Sequence, residues 1–334
     1  MEVGLSVGGP LGLIGDVARR CEQAGYPTLW VAETSRTAFM QAAVALQATE
    51  TTTIGTSIAL AFPRSPVVTA MEARDLAELS DGRFILGLGT QVKRVNENRY
   101  ATPFEHPAPK MREVVEVCRK VWRAYAGEPI DHRGRFYTVT MPPFPGGQPA
   151  PGPIPIYLAG VNRRMLELTG EVADGFLGHP FSSPRYFTET VRPAIDAGLE
   201  KTGRKRDEVK IIQGVICSIA DTTEQAMWEA KAQIAFYGTT RTYSPVFEAY
   251  GWEDIVGPLR DAHAKGDFAA MVGLVSDEMC DTYAVAGTQD EVREQVRRWE
   301  GHVDALYLGP PWATPDQTRT METFARIVET FAPR

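Results

Sequence analysis

Residues 76–86, LAELSDGRFIL, contain the pattern that decides the fold. Leu76–Ser80 end a helix, Asp81-Gly82 provides a turn, and Phe84-Ile85-Leu86 forms a short apolar strand. A glycine directly after a helix suits the left-handed conformation that terminates it. The same order of helix, glycine and apolar strand recurs at Gly25, Gly175 and Gly301. This alternation predicts a parallel sheet whose strands are buried on both faces.

Eight apolar segments have the length and spacing of strands, and helical segments separate most of them. The predicted strands are residues 3–7, 28–32, 53–61, 84–88, 154–159, 175–178, 209–218 and 303–308. Eight strands that alternate with helices over 334 residues predict an α/β fold, namely a (β/α)8 TIM barrel with insertions. A doubly wound open sheet is the alternative arrangement of the same elements.

Two segments interrupt the alternation. Residues 127–153 carry seven of the 24 prolines and predict a hairpin followed by an irregular loop. Residues 239–281 are irregular, with short helical pieces. Insertions that follow strands of a barrel lie on its catalytic face, so we expect both segments to cover a site. Since no linker divides the chain, we expect a single domain over residues 1–334.

The composition excludes several classes of protein. The sum of 35 basic and 42 acidic residues gives a net charge of −7 without a basic block, which disfavours nucleic acid and anionic membranes as partners. No apolar run approaches the roughly 20 residues of a membrane helix, and no secretory signal begins the chain. The four cysteines and five histidines are scattered without metal-ligand spacing. We therefore expect a cytoplasmic protein without a metal site.

Three strand ends carry candidate site residues. At residues 159–163, Ala-Gly-Val-Asn-Arg, a glycine and the N–H groups of a helix start can receive a phosphate, although an ordinary loop has the same pattern. His179 follows the next strand and could bind phosphate, move protons or hold its loop by hydrogen bonds. Glu33 ends the second strand. It could act as an acid or base, or it could support its loop. Residues 87–89, Gly-Leu-Gly, lack the third glycine of a dinucleotide fingerprint.

Four further segments carry a resemblance to a known family. They are Cys21–Tyr26, Gly55–Ile58, Ser80–Thr90 and Ala173–Phe176. In this order and spacing they resemble the bacterial luciferase-like family, also called the flavin-utilising monooxygenase superfamily. The branch that uses the deazaflavin coenzyme F420 is the most similar. The resemblance covers nearly the whole chain and implies the same TIM-barrel fold.

The resemblance also implies which residues bind the cofactor. A non-prolyl cis peptide bond between Ser57 and Ile58 is expected to support the deazaflavin ring, and Thr90 to lie at the edge of that ring. The phosphate is expected to contact the backbone of Gly160, Val161 and Asn162. The side chain of His179 is expected to contact it as well.

Two departures from the branch affect the expected reaction. Its sugar-phosphate dehydrogenases have an Asp-His pair where this chain has Glu33-Thr34, and a glutamate where it has Val92. The resemblance therefore implies an F420-dependent oxidoreductase with different proton handling. A hydride would move between the deazaflavin C5 and a small organic substrate, by reduction of C=C or C=N or by the reverse oxidation. We expect Glu33 to donate the proton and Gln91 to orient the substrate.

Two other functions remain open at this stage. One is an FMN-dependent two-component monooxygenase of the same superfamily. The other is a non-catalytic protein that carries a deazaflavin or flavin. Because family members are commonly dimers, and a barrel of this size offers a helical face for a symmetric interface, we expect a homodimer.

Overall fold

The computed structural model describes residues 1–314 and 316–333, and one ten-stranded sheet dominates it. The strands are β1 (Glu2–Val7), β2 (Thr28–Val31), β3 (Thr53–Thr56), β4 (Ala59–Leu60), β5 (Phe84–Gly89), β6 (Ile130–Arg133), β7 (Thr138–Met141), β8 (Ile156–Ala159), β9 (Gly175–Gly178), β10 (Lys210–Ile219), β11 (Ala284–Gly287) and β12 (Ala305–Gly309). Eight parallel strands follow one another around the sheet in the order β1-β2-β3-β5-β8-β9-β10-β12. Val3 pairs with Leu306 and thereby closes the ring. The TIM barrel is confirmed, and the open sheet is excluded.

Helices surround the barrel. They are α1 (Leu11–Gln23), α2 (Ala38–Ala48), α3 (Pro66–Leu79), α4 (Lys93–Arg99), α5 (Pro107–Tyr125), α6 (Arg163–Val172), α7 (Pro184–Tyr186), α8 (Arg192–Thr202), α9 (Thr223–Gly238), α10 (Ser244–Glu248), α11 (Val256–Lys265), α12 (Phe268–Gly273), α13 (Asp277–Tyr283), α14 (Gln289–Val296) and α15 (Gln317–Phe331). Hydroxyl caps begin several of them: the Ser65 side chain accepts from the Val67 N–H group, directly before Pro66. Among the helices of the described ranges, none is long and apolar enough to cross a membrane.

Large aromatic side chains fill the interior of the barrel. Each stands at the same register as a glycine of a neighbouring strand: Trp30 beside Gly55, Tyr157 beside Gly175, and Tyr307 beside Gly214. A Cβ atom on Gly55 would lie 2.3 Å from Cζ3 of Trp30. Since no side chain tolerates such an approach, glycine at these positions is a condition for packing the rings.

Gly175 therefore differs from the role that the sequence predicts for it. Gly82 has a φ of +86° and terminates a helix as expected. Gly175 instead is the first residue of β9, and a Cβ atom there would lie 2.6 Å from the Tyr157 ring. It provides space inside the barrel rather than a left-handed turn.

The predicted strand at residues 53–61 is interrupted. β3 ends at Thr56, β4 begins at Ala59, and the two residues between them form a bulge. β11 was not predicted, because Ala284–Gly287 is a four-residue, alanine-containing segment between two helices. It pairs with the end of β10, outside the closed ring of eight.

The two insertions follow α5 and α9. Residues 127–153 contain the predicted hairpin, β6 and β7. Its turn is tied to the start of α5 by the Glu113 carboxylate, which accepts three backbone N–H groups at 2.8–3.0 Å, from Arg135, Phe136 and Tyr137. Burial opposes the charge of this carboxylate, but the hydrogen bonds outweigh burial and lower the pKa of Glu113. The segment 239–281 is largely helical, from α10 to α13.

The packing of the barrel interior predicts the effect of one added methyl group. Gly55→Ala should destabilise the protein by about 1–3 kcal/mol, because the new Cβ overlaps the Trp30 ring. Urea unfolding monitored by circular dichroism measures the change. Gly12→Ala is the control: Gly12 is exposed in α1 and a Cβ there would meet nothing within 4 Å. Equal stability of the two variants would contradict this account of the interior.

Candidate functional site

Four neighbouring strands bring the predicted cofactor-binding residues to one end of the barrel. β3, β5, β8 and β9 are adjacent in the sheet and run in the same direction. The segments directly after them contain Ser57-Ile58, Thr90-Gln91, Gly160–Asn162 and His179. We call this set of segments the binding arc. It lies at the carboxyl ends of the strands, where TIM barrels place their sites.

The bulge after β3 is held from inside the barrel. The peptide bond between Ser57 and Ile58 is cis, as the resemblance implies. The Ser57 N–H group donates to the Val31 carbonyl at 2.7 Å, and its hydroxyl donates to the Tyr307 hydroxyl at 3.2 Å. Tyr307 in turn donates to the Gly178 carbonyl at 3.2 Å. Burial raises the pKa of Tyr307 to about 12, so this phenol stays protonated and keeps donating near neutral pH.

Glu33 lies against the same bulge, and both of its carboxylate oxygens are occupied. Oε2 accepts from the Leu60 N–H group at 2.8 Å and from Nη1 of Arg64 at 2.8 Å, while Oε1 contacts Nη2 of Arg64. The Glu33 side chain is only 5% exposed. The predicted role of Glu33 as a proton donor stays a prediction, and these contacts favour the alternative of loop support.

The charge of Arg64 is maintained by its partners. Burial opposes that charge, but the hydrogen bond to Glu33 and the negative charges of Glu33 and Glu72 together outweigh burial and raise the pKa of Arg64. A second carboxylate, Glu72, lies 3.7 Å from Nε of Arg64. Burial raises the pKa of Glu72. Arg64 was not singled out from the sequence because it is 31 residues from Glu33 and belongs to no motif.

The loop after β5 is fixed by a buried amide. Nδ2 of Asn96 donates to the carbonyls of Thr90 and Val92, at 2.8 and 3.1 Å. The Thr90 hydroxyl donates to the Gln91 carbonyl. Gln91 has a φ of +56°, and its side-chain oxygen accepts from the Val92 N–H group at 2.9 Å. The amide nitrogen of Gln91 is therefore the part of this side chain that can meet a ligand. Its expected role in orienting the substrate stays a prediction.

The start of α6 offers backbone donors. Asn162 precedes the helix, is exposed, and makes no capping hydrogen bond with its side chain. The first N–H groups of a helix lack partners within the helix, so an uncapped start can receive an anion. This donor set fits a phosphate. Gly160 has an additional steric role, since a Cβ atom there would lie 2.7 Å from Cβ of Met165.

His179 is placed differently from a cationic phosphate ligand. Its Nδ1 accepts from the Phe181 N–H group at 3.1 Å, which puts the proton of a neutral ring on Nε2. Nε2 then donates to the Tyr243 hydroxyl at 3.0 Å. Burial lowers the pKa of His179 to about 3, so the ring is neutral at pH 7. The contacts favour the alternative in which His179 holds its loop.

Aromatic residues that sequence reasoning missed form the wall beside His179. Tyr243 stacks on the imidazole with ring centres 4.4 Å apart, and Tyr237 packs edge-on at 4.7 Å. Trp312, which follows β12 and is 45% exposed, continues the wall through an edge-on contact with Phe236. The only signal available was that residues 239–281 interrupt the barrel, which brings Tyr243 to the site.

The arc and the residues packed against it therefore combine backbone donors, neutral aromatic rings and the ion pair of Glu33 with Arg64. Within residues 1–314 and 316–333, no cluster of three or more His, Cys, Asp or Glu side chains could hold a metal ion. Such a site can bind an anionic group at the start of α6, and its aromatic rings can pack against a planar group. It contains no free acid–base pair among the contacts described above.

Comparison with known proteins identifies relatives that cover most of this chain. An uncharacterised protein of Mycobacterium tuberculosis is 39% identical over 308 residues, which cover 90% of this chain and 91% of that protein. The 5,10-methylenetetrahydromethanopterin reductase of Archaeoglobus fulgidus is 29% identical over 319 residues, with 92% of each chain covered.

Two solved structures share the fold. The coenzyme F420-dependent tetrahydromethanopterin reductase of Methanopyrus kandleri superposes with a TM-score of 0.84 at 23% identity, covering 99% of this chain and 97% of that one. The oxygenating constituent of 3,6-diketocamphane monooxygenase of Pseudomonas putida, solved with FMN, has a TM-score of 0.69 at 17% identity, covering 100% and 99%.

A family profile decides the assignment. The profile of the luciferase-like monooxygenases matches residues 2–304, most of the barrel with its binding arc. The reductases and the monooxygenase constituent reported above are oxidoreductases. The expected family and enzyme class are confirmed, and the chain belongs to the luciferase-like monooxygenase family.

Proposed function

We propose that this protein is an F420-dependent oxidoreductase. It transfers a hydride between C5 of the deazaflavin and a small organic substrate, by reduction of C=C or C=N or by the reverse oxidation. The observation that carries the proposal is the uncapped start of α6, which lies within the binding arc and fits the phosphate of such a cofactor. The similarity to an archaeal 5,10-methylenetetrahydromethanopterin reductase over 92% of the chain supports it.

Each part of the arc has a role in this proposal. The backbone of Gly160, Val161 and Asn162 holds the phosphate, and the bulge at Ser57-Ile58 supports the ring. Thr90 lies at the ring edge. When bound, the deazaflavin supplies hydride chemistry at C5 and, lacking N5, reacts poorly with oxygen. His179 serves as a neutral neighbour that positions its loop, in place of the phosphate contact expected from the sequence.

An FMN-dependent monooxygenase is the second candidate. A solved structure with FMN shares the fold of this chain over its full length, which supports the same arc as a flavin site. A non-catalytic carrier is the third candidate, because the described contacts leave no free acid–base pair. Both differ from the main proposal in a measurable way. The monooxygenase predicts oxygen-dependent turnover, and the carrier predicts no turnover.

The remaining features of the assembly are also proposals. We propose a single domain over residues 1–334, because the closed sheet contains both the first strand, β1, and the last strand, β12. We propose a homodimer in the cytoplasm, on the basis of the family resemblance and the scattered, buried cysteines.

The choice of cofactor is testable by titration. Oxidised F420 and FMN are added separately to the purified protein, and binding is measured by fluorescence and by equilibrium dialysis. We expect saturable binding of F420, with a dissociation constant at least about tenfold below that of FMN, a gap of roughly 1.4 kcal/mol. The oxygen consumption of the FMN-loaded protein is the companion measurement. Tighter binding of FMN, with oxygen uptake, would replace the proposal by its second candidate.

The phosphate site predicts the effect of one added charge. Asn162→Asp should weaken F420 binding about tenfold through repulsion of the phosphate, while aspartate remains a good helix cap and preserves stability. The measurement is the F420 dissociation constant at low and high salt. Ser276→Asp, at the start of α13, is the matched control, because it adds the same charge to an exposed helix cap elsewhere. If Asn162→Asp bound F420 like the control, the phosphate would lie elsewhere.

A further inference from the structure

Glu33 contacts the backbone at two points, one in the bulge and one in β4, which follows it. Its own N–H group donates to the Ile58 carbonyl at 3.1 Å. Its carboxylate accepts from the Leu60 N–H group at 2.8 Å. One residue at the end of β2 therefore holds the chain on both sides of residue 59. This arrangement makes the shape of the bulge depend on where the Glu33 carboxylate is fixed.

Arg64 fixes that carboxylate. Its guanidinium group contacts both oxygens of Glu33, a two-point geometry that a planar fork provides and an ammonium group does not. Nη1 also donates to the Leu60 carbonyl at 3.2 Å. The side chains are 5% and 16% exposed, so solvent screens the pair only weakly. Glu33, Arg64 and the segment 57–60 thus form one connected hydrogen-bond network.

We propose that Glu33 and Arg64 are positioning residues, an ion pair that sets the backbone of residues 57–60 and thereby the surface on which the cofactor ring rests. The proposal rests on the proposed function for the identity of that ring. It assigns Glu33 a role other than proton donation. A protonated Glu33 would lose one acceptor of the Arg64 fork, so an acid role would require the pair to break each time Glu33 is protonated again.

The chemistry of the carboxylate explains why glutamine cannot replace it. A carboxylate offers acceptors on both oxygens, which here face three donors, from Leu60 and from the two nitrogens of Arg64. A glutamine amide has one oxygen and an NH2 group. Whichever way the amide is turned, the NH2 group faces a donor of Leu60 or of Arg64. Glu33→Gln should therefore release the bulge although it preserves the size of the side chain.

The first test uses the protein without cofactor. Hydrogen–deuterium exchange is measured for peptides that cover residues 57–61 in the wild type, Glu33→Gln and Arg64→Gln. We expect both variants to exchange faster in this segment. Glu229→Gln is the matched control, because Glu229 is also 5% exposed and paired with an arginine, Arg319, away from the bulge. The control should lose stability without faster exchange at 57–61.

The second test measures F420 binding by the same variants. We expect each single variant to bind about tenfold more weakly, the loss of one charge-assisted interaction of roughly 1.4 kcal/mol. The double variant should bind no more weakly than either single variant, because both changes break the same network. Arg64→Lys keeps the charge but loses the fork, and we expect an intermediate loss. It also serves as the milder variant should Arg64→Gln fail to fold.

The outcomes separate this proposal from its alternatives. If Glu33 is the acid, Glu33→Gln will leave F420 affinity and exchange at 57–61 unchanged and will remove one limb of the pH–rate profile, which overturns the proposal. If the wild type binds no F420, the proposed function fails, while the exchange measurement still decides whether the pair holds the bulge. If Glu229→Gln lost as much F420 affinity as Glu33→Gln, the loss would reflect a general loss of stability. This result would also overturn the proposal.

Discussion

The rings of Trp30, Tyr157 and Tyr307 fill the interior of the barrel, and a glycine must stand beside each of them. This steric constraint limits where a ligand can bind. Since the rings occupy the space between the strands, a cofactor has to bind at one end of the barrel, and TIM barrels place their sites at the carboxyl end. The constraint also reaches the site itself, because the Tyr307 hydroxyl connects Ser57 after β3 with Gly178 at the end of β9.

The bulge after β3 is held both by this interior and by residues at the rim of the barrel. The bulge and β4, residues 57–60, are contacted from within the barrel by Tyr307 and from the rim by Glu33 with Arg64. Their position is therefore set by contacts within the protein, as the proposed hydride transfer requires of a surface that orients a ring. The aromatic wall beside His179 consists of neutral groups, since His179 is uncharged near neutral pH and packs against Tyr243.

Local patterns in the sequence predict most of the barrel and part of the site. The unit at residues 76–86 and its repeats predict the strands, because helix, glycine and apolar run are all local signals. The candidate phosphate segment at residues 159–163 also follows from a local pattern, whereas Ser57 is expected only from the resemblance to the family. The same reasoning mistakes Gly175 for a turn, since the ring that requires this glycine, Tyr157, belongs to another strand. Arg64 and Tyr243 were missed for the same reason: their partners are 31 and 64 residues away.

The central claim is that the binding arc holds a deazaflavin, with its ring on the bulge and its phosphate at α6. A crystal structure of the protein with oxidised F420 tests it most directly. The account predicts electron density for the ring against Ser57-Ile58, with phosphate oxygens within hydrogen-bond distance of the N–H groups at residues 160–164. Density for the cofactor outside the arc, or a phosphate bound by other residues, would contradict it.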